Sequence, residues 1–356
     1  MNFSAGLASL SLENKKIVHH LNGLGMGGSE GMTQILLSYL SKNDIKYDHY
    51  LAYRTESDKD RLPFFRESLG SKNIFGYGSN DEFKQRMEEM KPFALHRVSA
   101  GIPEFPFVPE VKKHVKHFVS TSVFADQDNS IEISKVIYVS QHLKLRAGFG
   151  NDPDHVVLRN SIEAPADHTN LREELKIPKD AFVFGKIGRD DANIYDPINI
   201  EAYAQVATDN TFFILVNAGE LARADCVRLN LPNVIFLDPT FSKTRLSQFY
   251  NTIDVLADAR KDGHCNAAVH WESAAHGKPV ISHYGTPYNG MVETIQDTGF
   301  VVLPGDVDEY ARIMKAFVDG VIDYKALSQK SVINWQNTCT PRIIGKKYIK
   351  ILDSLV

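Results

Sequence analysis

Short apolar runs alternate along most of the chain with stretches whose apolar positions recur three or four residues apart. The first pattern suits strands buried on both faces and the second suits helices laid on a sheet. Their alternation predicts parallel α/β layers. In the first half the runs predict strands over 16–21, 49–54, 73–77, 93–98, 117–122, 136–140 and 156–160, with helices over 29–40, 59–69, 81–90 and 141–148. The pattern breaks at Glu163–Thr169, where Pro, Ala and polar residues intervene. It restarts with a short helix over 171–175 and strands over 182–187, 211–217, 234–237, 253–257, 279–283 and 300–303. The closing segment 341–355 reads as an amphipathic helix. Two Rossmann-like domains joined by a short linker are the simplest account. The expected boundaries are 1–165, 166–336 and a terminal helical segment 337–356.

Composition narrows the partners rather than the fold. With 356 residues, 43% of them apolar and 24% charged, the chain can build two ordinary cores. A net charge of −4 gives no electrostatic basis for binding nucleic acid. Cys226, Cys265 and Cys339 are scattered and odd in number, which points to a reducing compartment rather than a disulfide framework. The N-terminus lacks the basic and apolar regions of a signal peptide, and no apolar run is long enough to span a bilayer. A cytoplasmic location is expected, with peripheral membrane contact left open. The basic run Val111–His117 suits either an anionic acceptor or a solvated helix face.

Two segments carry candidate chemistry. Asn22–Glu30 (NGLGMGGSE) joins the first predicted strand to the first helix, and its glycines let backbone amides approach an anion. A dinucleotide-binding reading also needs an acid ending the second strand; Asp44 and Asp48 precede that strand, so an oxidoreductase is disfavoured. The second segment, Phe249–Pro304, reads as strand, loop, helix, loop, strand. Gly263 lies before its helix and Glu272 within it. Such a unit suits a phosphate at the helix N-terminus, near Asn266 and Ala267, and a ribose hydroxyl on the acid. Arg189 ends a predicted strand, where a guanidinium can grip a diphosphate bidentately.

These motifs resemble glycosyltransferases of the GT-B fold, family four, over most of the chain and most closely over 182–304. Gly27-Gly28-Ser29-Glu30 is similar to the family's Gly-Gly-small-Glu loop, and Gly188-Arg189 to the start of its donor domain. Glu272, five residues before the Gly277 of Gly-Lys-Pro-Val, is similar to its ribose-binding acid. The resemblance implies two Rossmann-like domains facing a central cleft, with the C-terminal helix crossing back to the first. It implies hexose transfer from a UDP- or GDP-sugar to an acceptor hydroxyl on a glycan, lipid-linked or small-molecule acceptor. Retained configuration and no obligatory metal or other cofactor are also implied. The implied catalytic set is Arg189, Glu272, His264 and His96. The implied donor-binding set is Gly27, Gly28, Arg189, Asn266, Ala267 and Glu272.

The chain departs from the family pattern twice. His264 stands eight positions before Glu272, where an acid is expected to meet the donor sugar. Ile194 or Asn193 stands where a phosphate-binding Lys is expected, with Lys186 as a substitute. Both departures also fit a catalytically silent, nucleotide-sugar-binding partner of an active enzyme. Asp262 reaches the sugar only if its loop rearranges. Metal binding by His264, Cys265, His270 and His276 is disfavoured, because steps of six residues on a helix do not share a face. His270 and His276 are expected to be partly exposed helix residues.

Overall fold

The computed structural model describes residues 14–25 and 27–356. The segment tested above for a signal peptide, residues 1–13, and Met26 of the glycine loop lie outside the described residues.

The first half contains β1 (Lys15–Leu21), α1 (Gly28–Asn43), β2 (Tyr47–Arg54), α2 (Leu62–Leu69), β3 (Ile74–Tyr77) and α3 (Asn80–Met90). It continues with β4 (Ala94–Ser99), α4 (Pro109–Lys112), β5 (His117–Ser122), β6 (Lys135–Tyr138), α5 (Gln141–Arg146) and β7 (His155–Val157). The second half begins with β8 (Phe182–Ile187), α6 (Ile198–Val206), β9 (Thr211–Val216), α7 (Glu220–Arg228), β10 (Val234–Leu237) and α8 (Lys243–Thr252). Then come β11 (Val255–Ala257), β12 (Gly263–His264), α9 (Ala268–Ala275), β13 (Val280–His283), β14 (Tyr288–Asn289), α10 (Val292–Ile295) and β15 (Gly299–Val302). Helices α11 (Val307–Val318), α12 (Tyr324–Thr338) and α13 (Pro341–Asp353) close the chain.

All the strands but β12 and β14 form two sheets, ordered β3-β2-β1-β4-β5-β6-β7 and β10-β9-β8-β11-β13-β15, with every pairing parallel. Both follow the doubly wound order, in which the chain reverses direction across the sheet between the first and fourth strands. Each sheet therefore has a crevice at the carboxyl ends of its strands, at β1/β4 and at β8/β11. Continuous apolar runs make these strands because helices cover both faces; Val255–Ala257 is buried throughout.

One expected helix is absent. Residues 171–176 form turns, and Lys176 adopts a positive φ of 56° that ends any helix there. The Arg172 guanidinium instead fastens the segment to the Pro178 and Ala181 carbonyls and to Asp254.

The two halves share one apolar cluster, in which Trp271, Ala274 and Ala275 of α9 join Leu24, Leu158 and Ile162. Trp335 Nε1 donates to the Ile162 carbonyl at 3.1 Å. The Glu293 carboxylate accepts from the backbone amides of Gln141 and His142 at the start of α5 and pairs with Arg159 at 3.0 Å. Helix α13 returns to the first half. Ile344, Tyr348 and Leu352 recur every fourth residue on its buried face. Its Asp353 accepts from Tyr47 and Lys46, next to β2. Gly345 lets it lie against Tyr39 of α1, since a Cβ there would fall 2.1 Å from the ring.

Candidate functional site

The carboxyl edge of the second sheet collects most of the expected site residues. Arg189 follows β8, is exposed, and has no side-chain partner among the described residues. A cavity of about 350 Å³ opens on the β9 and β10 side of it, lined by Ile187, Val216, Phe236, Leu237, Leu246 and Phe249, with Asp238 and Arg245 also on its wall. Its mixed apolar and polar lining suits a planar heterocycle.

Helix α8 links that cavity to Glu272. Phe249 faces the cavity, and the next residue, Tyr250, donates its hydroxyl to Glu272 Oε2 at 2.7 Å. Glu272 is half-buried, and burial pushes its pKa up; the Tyr250 hydrogen bond and the charge of Arg61 oppose that shift. Arg61 comes from the other half. It stacks over the Phe241 ring at 5.3 Å and is electrostatically coupled to both Glu30 and Glu272.

Helix α9 begins beside these groups without a side-chain cap, so its first amides are open to a ligand. Asn266, expected to touch the donor, spends its side chain elsewhere. Its Nδ2 donates to the Val139 carbonyl at 2.5 Å, and its Oδ1 accepts from Trp271 Nε1 at 3.2 Å. Its own carbonyl accepts from Asn160. Asn266 and Ala267 can thus offer a ligand backbone rather than side chain.

On the β11 side the chain builds a small two-stranded ribbon, β12 with β14. Gly263 has φ +71°, and a Cβ there would fall 1.8 Å from the Tyr288 carbonyl oxygen. Only glycine permits that close approach, which positions the following His264. His264 Nε2 lies 2.6 Å from Asp258 Oδ2, and His270 Nε2 lies 2.8 Å from the same oxygen. Two expectations fail here. His264 belongs to a strand, so helical periodicity does not separate it from His270, and the two rings meet at 4.9 Å. His270, expected to be partly exposed, is 1% exposed and fills the space between Asp258 and Thr294.

The ligand atoms of Asp258, His264 and His270 all lie within 4.8 Å of one another. Both imidazoles nevertheless point at one carboxylate oxygen, at hydrogen-bond distance. Lys186 and Arg260 also feel the charge of Asp258. That surrounding positive charge disfavours a divalent cation. Asp262 is held by a bidentate pair with Arg260, at 2.6 and 2.7 Å, rather than standing free for a sugar.

Where the resemblance expects a Lys, the Ile194 carbonyl accepts from the Lys261 amide at 3.0 Å. Lys261 is exposed, and that backbone bond holds its main chain beside the loop. Lys186 is partly covered, stands 5.5 Å over the Tyr195 ring, and faces Asp258 and Asp196. Asp191 turns back on its own loop, accepting from Asn193.

In the first half, Gly27 and Gly28 stand at the start of α1, at the β1/β4 crevice; Gly28 has open space around its Cα. The loop is tied by backbone bonds between Leu24 and both Asp58 and Arg61. His96 is placed differently from the sequence expectation. It is 2% exposed, deep in the sheet, and bonded to His19, Thr121 and Tyr348. Both ring nitrogens are occupied within the domain. The basic run lies on the opposite edge of that sheet from the carboxyl ends. Lys112, Lys116 and Lys135 line a cavity of about 480 Å³ there.

Sequence reading did not single out Asp258, Tyr250, Arg61 or Lys261. Asp258 had a signal: it directly follows an apolar strand on the ligand-bearing edge. The others become visible only when α8, the loop before α2 and the loop after β11 converge.

No protein-family model matches the chain, and no curated protein matches it in sequence. Solved structures do match over nearly its whole length. The Anabaena protein HepE in complex with UDP-glucose superposes with a TM-score of 0.73 at 18% identity, covering 96% of this chain and 100% of that one. A glycosyltransferase from Rickettsia africae gives 0.73 at 14% identity over 96% and 99%. WaaG, a glycosyltransferase involved in lipopolysaccharide biosynthesis, gives 0.67 at 12% over 94% and 99%. The chain has the GT-B fold, as its resemblance implied.

Proposed function

We propose that the protein transfers a hexose from a nucleoside diphosphate sugar to an acceptor hydroxyl. One observation carries this reading. Along a single sheet edge stand a cavity that suits a base, an acid that suits a ribose, an uncapped helix start that suits a diphosphate, and a histidine beyond them. That is the linear order of such a donor. The likeness to HepE with bound UDP-glucose supports uracil as the first base to test.

In this reading Glu272 Oε1 accepts a ribose hydroxyl while Tyr250 holds Oε2. The amides opening α9 meet the phosphates, with Arg189 and Lys261 adding positive charge. The bond between sugar C1 and the phosphate oxygen breaks, and its electron pair leaves on the diphosphate. The acceptor oxygen bonds to C1 and its proton passes to a donor phosphate oxygen. In this reading the transfer takes place on one face of the sugar, with retention and with no metal in the step. His96 takes no part.

His264 in place of an acid and the missing phosphate Lys also favour a second reading, a silent partner that binds a nucleotide sugar without turning it over. Incubation with UDP- and GDP-sugars, with release of free nucleotide as the readout, separates the two. Slow release abolished by Glu272→Ala and Arg189→Ala supports the enzyme. Saturable binding with no release, across donors and acceptors, leaves the silent partner.

A further inference from the structure

Asp258 is a carboxylate that no motif demanded, and it is 3% exposed. Its pKa is held well below the ordinary carboxylate value. Burial works against that, and hydrogen bonds from His264 and His270 oppose it, with Lys186 and Arg260 adding positive charge nearby. An ionised carboxylate only accepts hydrogen bonds. Both contacts to Oδ2 are therefore made by Nε2–H groups, one from each ring. For His264 the neutral form that satisfies this geometry is the Nε2–H tautomer. In His270 the remaining nitrogen, Nδ1, lies 3.1 Å from Thr294 Oγ1, whose hydroxyl donates to the Met291 carbonyl. In His264 Nδ1 has no partner among the described residues, and the side chain retains 11% exposure.

We infer that Asp258 is a positioning residue for the sugar end of the donor site: it fixes His264 in the Nε2–H tautomer, so that Nδ1 presents a single lone pair to a sugar hydroxyl. The inference rests on the donor reading above. The base cavity lies over β8 to β10 and the helix start over the β8/β11 crevice, so the sugar of a donor laid along the edge falls on the β11 side. There the carboxylate has moved one step back from the ligand, and an imidazole stands between them. A carboxylate at position 264 could accept several sugar hydroxyls; one Nδ1 lone pair accepts one. The substrate class is thus a hexose with a free hydroxyl at a single decisive position. The donor lacking that hydroxyl should be rejected, because the buried pair would be left facing nothing.

The arrangement also says why an acid at position 264 is not a simple improvement. His264→Glu alone would set a second carboxylate beside Asp258, and the two charges would oppose each other.

The first test is ¹⁵N NMR of the full-length protein labelled in histidine, with His264→Gln and His270→Gln spectra giving the assignments. The expected result is unprotonated Nδ1 and protonated Nε2 for His264 at pH 8. An Nδ1–H tautomer for His264 overturns the inference, as does stoichiometric zinc in the purified protein. This readout needs no turnover, so it decides the point even if no nucleotide sugar binds, an outcome that would sink the donor reading instead. The second test compares UDP-glucose with UDP. Asp258→Asn can donate its amide to Nε2 and reverse the tautomer. It should lower affinity for UDP-glucose by tenfold or more while changing that for UDP by less than twofold. His264→Gln, which keeps an acceptor oxygen, should recover part of the loss seen in His264→Leu. Equal weakening of UDP and UDP-glucose in Asp258→Asn would reduce Asp258 to a structural acid and overturn the assignment.

Discussion

Tyr250 decides how Glu272 behaves, because its hydroxyl stabilises the ionised carboxylate against a burial that favours the protonated acid. Removing that bond should push the Glu272 pKa further up. A group whose pKa rises gains its proton at higher pH, so the acid limb of nucleotide binding should move upward in Tyr250→Phe. Titrating UDP affinity from pH 5 to pH 8 checks this; an unmoved or downward-shifted limb would separate Tyr250 from Glu272 in function. Losing a charge-assisted hydrogen bond is worth about 1.5–3 kcal/mol, so the affinity loss below the limb should reach tenfold. Lys261 calls for a different experiment, because its backbone amide, bonded to the Ile194 carbonyl, fixes its place in the loop while its side chain is exposed. If it neutralises the leaving diphosphate, Lys261→Ala should lower kcat by about 10²-fold, the scale of one lost transition-state contact, with KM for the donor little changed. A rise confined to KM would place the charge on ground-state binding.

Among the elements, the terminal helix and the buried histidines of the first sheet are one unit. Tyr348 of α13 reaches His96 at 2.9 Å. From there His19 and His49 continue as a chain of ring-to-ring bonds to Asp44. Burial lowers the pKa of His19 well below its usual value and those of His20 and His96 to about 3. The native state holds these rings neutral, and the unfolded chain protonates them near pH 6.5. Stability is therefore full above that pH and is lost as pH falls toward the folded values. Each such ring costs about 1.4 kcal/mol per pH unit in that window. Urea midpoints of the first half should fall steeply from pH 6.5 to 4.5, and His96→Gln should flatten the slope by about one proton. A slope unchanged in that variant would show that His96 does not titrate on unfolding. Most of this architecture was legible from periodicity, since long apolar runs and the α13 heptad-like face announce themselves locally. The segment 171–176 was not, because a left-handed Lys176 and the Arg172 clamp decide it. Nor was His96 legible as a core group: a histidine at a strand end has the same local sequence whether it faces a cleft or a neighbouring imidazole. The ribbon of β12 and β14 was missed for a related reason. It is two residues deep and pairs segments separated by a whole helix, so periodicity has nothing to register, although Gly263 marked its place.

For the whole molecule the question is what holds the two halves together. The shared cluster around Trp271 supplies the apolar part, and Glu293 supplies direction. Its carboxylate caps α5 of the opposite half through two amides and also binds Arg159. A helix N-terminus favours a negative charge, so this cap is stronger than a neutral one. Arg61, coupled to Glu30 of the first half and Glu272 of the second, lies between the halves beside the proposed nucleotide site. A bound diphosphate would add negative charge near it. Closure around a donor should therefore lean on Arg61, while Glu293 keeps the halves in register at the far end. Two variants separate these roles. Glu293→Ala, which strips the cap and leaves Arg159 without its carboxylate, should cost about 2 kcal/mol and split a single calorimetric transition into two. Excess UDP should stabilise the half that binds it, by mass action. Arg61→Ala should leave the single transition intact and weaken UDP binding. If Arg61→Ala split the transition and Glu293→Ala did not, the hinge and the closing contact would have to exchange places.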